Sequence, residues 1–138
     1  MTKVILSEEE FLATFNVGDR FWHMTTMVGL GPMGIEGPVV IEAFDQYDFE
    51  GVDLARIQHT VNIDGVDCPQ WTCVSEFAND FNGVFLSMAE GEEYFQARRH
   101  AYETDPDLIL RLKRQREACE TFCLIMQSAA DKQDQPMN

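Results

Sequence analysis

The sequence predicts an α+β fold, in which a small, strongly bent antiparallel sheet or barrel follows a short N-terminal helix and precedes two C-terminal helices. Aromatic and β-branched residues, which favour strands, are frequent between positions 19 and 86. Asp64-Gly65 and Asn82-Gly83 interrupt this part of the chain and are typical of tight hairpin turns. Helix-capping signals and helical apolar spacing dominate from Ser87 onward. Strands first and helices last are typical of the α+β class.

The length of the chain, 138 residues, is sufficient for one compact domain with its own core. We therefore expect a single domain over residues 1–130, strand-rich over 1–86 and helical over 87–130. Residues 131–138 show no apolar periodicity, and the sequence predicts a disordered tail there.

A helix and a strand are predicted at the start of the chain. Ser7 followed by Glu10 is a capping-box pattern, and it indicates a short helix that ends before Gly18. Residues 19–28 are rich in aromatic and β-branched side chains and predict the first strand.

The middle of the chain alternates between predicted loops and strands. Glycines and prolines over residues 29–38 predict a loop, and residues 39–44 predict the second strand. An acidic turn is expected over residues 45–53. Residues 56–63 alternate between apolar and polar side chains, which is the period of a strand with one buried face. Asp64-Gly65 then predicts a hairpin.

Two further strands are predicted before the helices. One lies between residues 66 and 81, although Pro69 weakens its beginning because proline cannot donate a backbone hydrogen bond. The other covers residues 84–86, after the hairpin signal Asn82-Gly83.

The two C-terminal helices have the clearest boundaries. Ser87 and Glu90 form a second capping box, and the helix it opens is predicted to end at about Glu103. Asp105 is expected to cap the last helix, with Pro106 at the first helical position, where its missing N–H costs nothing.

The last helix carries one apolar seam with four-three spacing and a single polar break. Packing of this seam on the sheet is one interpretation. The alternative is a structural homo-oligomer joined through the helix, with the polar residue setting the register, so that the chain is a monomer or a homodimer. The residues assigned to this oligomer seam are Leu108, Leu112, Gln115, Phe122 and Met126.

The net charge of −14 belongs entirely to the first 97 residues, where 17 acidic side chains face only Lys3, Arg20 and Arg56. From Arg98 onward seven acidic residues balance seven basic ones. Such a charge repels nucleic acid and anionic lipid, so we expect no direct nucleic-acid binding and no membrane association, and a basic protein as the partner. The expected contact residues crowd two adjacent turns, where they would present a row of carboxylates: Asp45, Asp48, Glu50, Asp53, Asp64 and Asp67.

One basic cluster flanks the junction of the two last helices, and we expect it to pair with acidic groups of the same molecule or of a neighbour. It consists of Arg98, Arg99, Arg111, Lys113, Arg114 and Arg116.

Common catalytic patterns are missing from the sequence, so we expect a protein that is not an enzyme and has no cofactor. Gly29, Gly31 and Gly34 match the spacing of a dinucleotide fingerprint, but no helix follows to receive a pyrophosphate. His23, His59 and His100 fall in three separate elements, and no nucleophile elbow is present.

Four cysteines, Cys68, Cys73, Cys119 and Cys123, leave a second interpretation open. Their spacing departs from that of zinc knuckles, so we expect free thiols and no metal. The alternative is a small-ligand or metal-binding domain that uses the glycine loop, His23 and the cysteines. Because the N-terminus lacks an apolar signal core and no apolar run approaches membrane length, a cytoplasmic location is expected.

Two segments carry a resemblance to a known group of proteins. These are Gly18-Asp-Arg-Phe-Trp22, near the start, and the run from Phe81 to Glu90, in which Phe85-Leu86-Ser87 leads into an acidic helix. Together they resemble the opening and closing segments of small SH3-like barrel accessory proteins of bacteriophages and mobile elements. The resemblance implies an SH3-like barrel and carries over no catalytic residue. Some strongly acidic proteins of this kind resemble inhibitors of host defence nucleases. Together with the net charge, the hypothesis for this chain is an acidic interaction protein that docks on a basic, nucleic-acid-binding surface of a partner, as an anti-CRISPR-like inhibitor and nucleic-acid mimic would.

Overall fold

A computed structural model of the protein describes residues 3–133, and these residues alternate between helices and antiparallel strands. The elements in chain order are α1 (Glu8–Thr14), β1 (Arg20–Met27), β2 (Gly31–Val40), β3 (Ala43–Phe49), β4 (Val52–Ile63), β5 (Val66–Cys73), α2 (Val74–Phe77), β6 (Val84–Phe85), α3 (Met88–Thr104) and α4 (Pro106–Gln133).

The strands form two three-stranded antiparallel sheets, which confirms the predicted α+β class. The first sheet has the order β2-β1-β6 and the second the order β3-β4-β5. Over the described part of the chain the two sheets do not close into a barrel, so the bent-sheet form of the prediction describes this fold.

Tight turns connect the strands of the second sheet. Asp64 and Gly65 both have positive φ angles, 51° and 83°, as a two-residue hairpin of type I′ requires, and the predicted hairpin is confirmed. Glu50 and Gly51 form an equivalent turn between β3 and β4, with φ angles of 51° and 84°. The acidic segment predicted as a turn is therefore mostly strand.

The hydrophobic core lies between the two sheets and is closed by α1 and α2. Phe11 of α1 is fully buried, and its ring centroid lies 4.7 Å from that of Phe15 and 5.2 Å from that of Phe21. The second sheet contributes Ala55 and Ile57, which alternate with partly exposed neighbours along β4. The other buried members are Ile5, Ile41, Val74, Phe77, Ala78 and Val84.

Helix α3 packs against the first sheet and contacts β1, β2 and β6. It can approach closely because Gly91 has no side chain: a Cβ there would lie 3.2 Å from side-chain atoms of both Ile35 and Phe85. The Phe85 ring also packs on Tyr94, with centroids 5.3 Å apart. The first sheet is therefore covered by α3 as well as by the core.

The loop predicted over residues 29–38 is wrong, because β2 covers Gly31–Val40 and pairs with β1. The pairing register shifts twice along this pair, and Gly31 and Gly37 adopt positive φ angles of 85° and 138° that only glycine reaches without strain. The predicted strand over residues 39–44 is also wrong, since β2 ends at Val40 and β3 begins at Ala43.

The hairpin predicted at Asn82-Gly83 is wrong as well. β6 pairs with β1 instead of β5, and α2 precedes it. The segment is held by side chains: Asn79 Oδ1 accepts hydrogen bonds from the amides of Phe81 and Asn82, and Asn82 Oδ1 accepts one from the Thr26 amide at 3.0 Å. Asn82, which suggested a turn, instead connects this segment to β1 by a hydrogen bond.

The helix caps follow the predictions closely. Ser7 Oγ accepts a hydrogen bond from the Glu10 amide, and Ser87 Oγ accepts one from the Glu90 amide, both at 3.2 Å. Asp105 Oδ1 accepts the Asp107 amide at 2.9 Å. α4 continues through Gln133, into the segment predicted as a tail, and residues 134–138 of that segment lie outside the described residues.

Candidate interaction surface

The acidic residues predicted to bind a partner divide into two groups. Asp48, Glu50 and Asp53 surround the turn between β3 and β4 and are exposed. Asp48 and Asp53 lie directly opposite each other across the strand pair, and Asp48 Oδ1 accepts a hydrogen bond from the Gly51 amide at 3.0 Å. This end of the second sheet, the β3–β4 turn, therefore presents a concentrated negative charge.

Asp64 and Asp67 lie at the opposite end of the sheet, beside the turn between β4 and β5, and are also exposed. β4 alone separates the two turns, and the eleven steps from Asp53 to Asp64 span about 36 Å at the usual rise of a strand. The structure therefore does not bring the six carboxylates into one row, and the expectation that the two turns crowd together is corrected.

Asp45 differs from the other five because it is paired with arginine. Its carboxylate accepts two hydrogen bonds from the Arg56 guanidinium, one of them 2.9 Å from Nε to Oδ1. The hydrogen bond from Arg56 lowers the pKa of Asp45 below its usual value. Asp45 therefore fixes the position of Arg56 and is less available to a partner than the carboxylates of the β3–β4 turn.

Arg56 also lies over two aromatic rings. Its guanidinium carbon is 4.6 Å from the ring centroid of Tyr47 and 5.1 Å from that of Trp71, within the range of cation–π attraction. Tyr47 is on β3 and Trp71 on β5, so the arginine on the central strand connects all three strands of the sheet.

These side chains belong to the outer face of the second sheet, the face turned away from the core. Along β4 the buried residues are Ala55, Ile57 and His59, so the residues between them point outward. Pairing places Asp45, Tyr47 and Phe49 of β3, and Trp71 of β5, on the same side as Val52, Leu54 and Arg56. We call this set of seven residues the outer face.

The outer face is unusually apolar for an exposed surface. Phe49 is 53% exposed, Val52 57%, Tyr47 41% and Trp71 38%, and the Tyr47 and Phe49 rings stack with centroids 6.3 Å apart. Contiguous exposed apolar residues mark interaction sites, and tyrosine, tryptophan and arginine are the types that most often contribute binding energy at protein interfaces. The β3–β4 turn adds an acidic rim at one end.

Sequence reasoning missed the outer face because the acidic residues of this segment suggested a turn. Part of the signal was present: Asp45, Tyr47 and Phe49 are spaced two residues apart, as on one face of a strand, and Gly51 can adopt the positive φ angle that a tight turn needs.

His23, the histidine of the alternative small-ligand site, is partly buried, and His59 beside it is buried. His23 on β1 and His59 on β4 both pack edge-on against Phe77, with centroid distances of 4.9 and 5.7 Å. His59 Nε2 lies 2.8 Å from Thr72 Oγ1. Burial lowers the pKa of both histidines below the usual value; Glu36 opposes this effect at His23, and Glu42 opposes it at His59.

Two glycines of that alternative site, Gly29 and Gly31, lie against α4. The Gly29 amide donates a hydrogen bond to Gln115 Oε1 at 2.8 Å, and a Cβ at Gly29 would lie 2.9 Å from Arg116 Cγ. Gly31 approaches Tyr102 and Leu112. The structure therefore uses this turn to dock the first half of α4 on the body of the protein.

The four cysteines are free thiols. Cys68 and Cys73 lie on β5 and are partly exposed, whereas Cys119 and Cys123 are exposed on α4. Over residues 3–133 no three histidine, cysteine or acidic side chains gather in a group that could hold a metal ion.

The predicted oligomer seam is divided by its surroundings. Leu108, Leu112 and Gln115 are half-buried against the body, whereas Phe122 and Met126 are exposed. In the basic cluster, Arg98 lies over the Tyr102 ring and Arg99 is 3.6 Å from Glu103. The other four members, all on α4, form no salt bridge with any described residue.

No family model, no curated protein and no solved structure matches this chain. Among the helices of residues 3–133, none combines the length and the apolar character needed to cross a membrane.

Proposed function

We propose that this protein is a non-enzymatic interaction protein whose outer face and β3–β4 turn dock on a basic surface of a partner protein. The observation that carries the proposal is the set of exposed aromatic residues around Arg56, on the sheet whose β3–β4 end carries Asp48, Glu50 and Asp53. The aromatic residues supply desolvated contact area, and the carboxylates supply charge complementarity.

The partner that fits this surface has an apolar pocket bordered by lysine and arginine, as nucleic-acid-binding grooves often do. Occupation of such a groove by carboxylates would exclude phosphate, so the proposed role is inhibition of a nucleic-acid-binding protein by mimicry. The resemblance to acidic accessory proteins of bacteriophages supports a cytoplasmic defence nuclease of the host as the target.

The acidic part of the proposal is tested by affinity capture from host lysate at low and high salt. The variant Asp48→Asn/Glu50→Gln/Asp53→Asn neutralises the β3–β4 turn, and Asp64→Asn/Asp67→Asn is the matched control at the other end of β4. We expect the first variant to lose the captured protein and the second to retain it. Capture that is equal for all three proteins, or insensitive to salt, would contradict the proposal because rim charges act through screened long-range attraction.

The aromatic part is tested with the captured protein in purified form. We expect Trp71→Ala to weaken binding roughly 30-fold, the effect of losing an interface residue worth about 2 kcal/mol. Val66→Ala is the control, because Val66 is 61% exposed in the same sheet but lies beside the other turn. Equal affinities of the Trp71 variant and the wild type would remove the outer face from the interface.

A further inference from the structure

We propose that the second half of α4, residues 117–132, is an interface through which two copies of this chain associate in antiparallel orientation. Every residue of this segment, which we call the projecting half, is exposed. Phe122, Leu124, Ile125 and Met126 are between 54% and 67% exposed, although they are large and apolar. The first half of the same helix, in contrast, packs on Gly29, Gly31 and Tyr102.

Helical periodicity places most of the apolar residues of the projecting half on one side. At 100° per residue, Ala118, Ile125 and Ala129 lie on the same side as Cys119, Phe122 and Met126, and Leu124 lies on the opposite side. This apolar side continues the side formed by Leu108, Leu112 and Gln115, which the body covers. The packed face of α4 thus extends beyond the body with the same composition but without a partner in the described structure.

Charge determines which occupant and which orientation fit this face. A parallel pair would place two strongly acidic bodies side by side, whereas an antiparallel pair places them at opposite ends. An antiparallel pair also brings the C-terminal end of one helix, which is negative by its dipole, towards Arg111 and Arg114 of the other copy. Neither arginine forms a salt bridge with any of residues 3–133. A second copy therefore offers complementary charge.

The area available also favours the antiparallel arrangement. The projecting half is about 24 Å long, and half the surface of a helix of that length is on the order of 400 Å². A stable interface buries about 800 Å² per partner, so contact between the two projecting halves alone supplies roughly half. The rest of the interface area is available on the body beside α4, where Met27, Val28 and Phe81 are exposed. Only a partner in antiparallel orientation reaches these residues.

The oligomeric state tests the interface directly. We expect the wild-type chain to have twice its monomer mass by sedimentation equilibrium at about 100 µM, well above a Kd near 1 µM. Phe122→Glu/Met126→Glu should be monomeric at the same concentration, and its circular dichroism should match the wild type because both residues are exposed. Leu124→Glu is the matched control, equally exposed on the other side of the helix, and should remain dimeric.

Three results of that experiment would overturn the inference. They are a monomeric wild type, a dimeric Phe122/Met126 double variant, and loss of the dimer in Leu124→Glu. The inference is independent of the proposed function, since Trp71→Ala changes a different surface and should leave the dimer mass unchanged.

The orientation is tested by distances between spin labels at equivalent positions in the two copies. Glu117→Cys and Asp131→Cys, each in a background with the four native cysteines replaced by serine, place labels on the polar side of the projecting half. In an antiparallel pair the longer of these two distances exceeds the distance between position 117 of one copy and position 131 of the other, measured in a mixture of the two labelled variants, because the positions are fourteen residues apart along the helix. Two like-position distances that are both shorter than the mixed distance would indicate a parallel pair and overturn the orientation.

Discussion

Arg56 is the residue on which the outer face depends most. Asp45 holds its guanidinium by two hydrogen bonds, and Tyr47 and Trp71 provide ring faces for the same group. Lysine cannot replace it, because an ammonium group has neither the planar fork that matches a carboxylate nor the flat surface that stacks on rings. The arginine therefore fixes the positions of two aromatic side chains that would otherwise sample several rotamers in solvent.

His23 and His59 give the protein a pH-dependent stability. Their pKa values are lower in the folded state than in the unfolded state. At a pH between these two pKa values, the unfolded chain therefore binds more protons than the folded chain. The contribution of neutral histidine is complete above about pH 6.5, the unfolded pKa, and is lost as the pH falls from there towards the folded pKa. We expect the free energy of unfolding to decrease over that interval.

Urea denaturation of His23→Gln/His59→Gln, compared with the wild type from pH 7.5 to 5, measures this effect. Carboxylates titrate alike in both proteins, so the difference between the two curves isolates the histidines. We expect the variant to lose less stability than the wild type on acidification, and the exposed His100→Gln to behave as the wild type does. Parallel curves for all three would contradict the assignment.

Among the elements, α1 is held to the body mainly by one side chain. Phe11 is fully buried between Phe15 and Phe21, whereas its neighbour Leu12 is 39% exposed. We expect Phe11→Ala to lower the free energy of unfolding by about 3–5 kcal/mol, as large-to-small core substitutions do. Leu12→Ala on the same helix should cost less than about 1 kcal/mol. Urea denaturation of both variants checks this, and equal losses would show that α1 is not anchored through Phe11.

The elements that sequence reasoning identified correctly depend on local interactions. Ser7, Ser87 and Asp105 cap helices through hydrogen bonds that span two or three residues, so their pattern is visible in a short window. The same is true of the Asp64-Gly65 hairpin, whose backbone conformation depends on those two residues.

The elements that were missed depend on distant partners. β2 is rich in glycine and proline and becomes a strand because β1 and α3 surround it. For β6 the strand itself was predicted over residues 84–86, but its partner was missed, because it pairs with Trp22 and His23, some sixty positions earlier. The candidate site was found in part: the carboxylates at the β3–β4 turn are clear in the sequence, but the separation of Asp64 from Asp53 requires the length of β4.

At the scale of the whole molecule, the distribution of charge matters more than any single pair. The chain carries a net charge of −14, and within residues 3–133 the Arg56–Asp45 pair is the one salt bridge that compensates a carboxylate of the second sheet. Like charges on a compact body repel each other and reduce its stability. The negative field that the proposed function uses is therefore also a cost to the folded state.

Salt should therefore stabilise the protein. Raising the ionic strength from about 0.01 to 0.15 M shortens the screening length from about 30 to about 8 Å, which removes most repulsion between distant carboxylates. We expect the urea midpoint to rise with NaCl in the wild type, and to rise less in Asp48→Asn/Glu50→Gln/Asp53→Asn. A midpoint that fell with salt would show that attractive pairs outweigh the repulsion.

The close approach of Gly29 to α4 has a mechanical consequence. α4 leaves the body near Arg116, and about 24 Å of helix extends beyond this contact. If the helix tilts by about 5° there, its far end moves by about 2 Å, which is enough to misalign packed side chains. A methyl group at residue 29 would push against Arg116 and tilt the helix, and it would therefore weaken the proposed dimer without changing any residue of the projecting half.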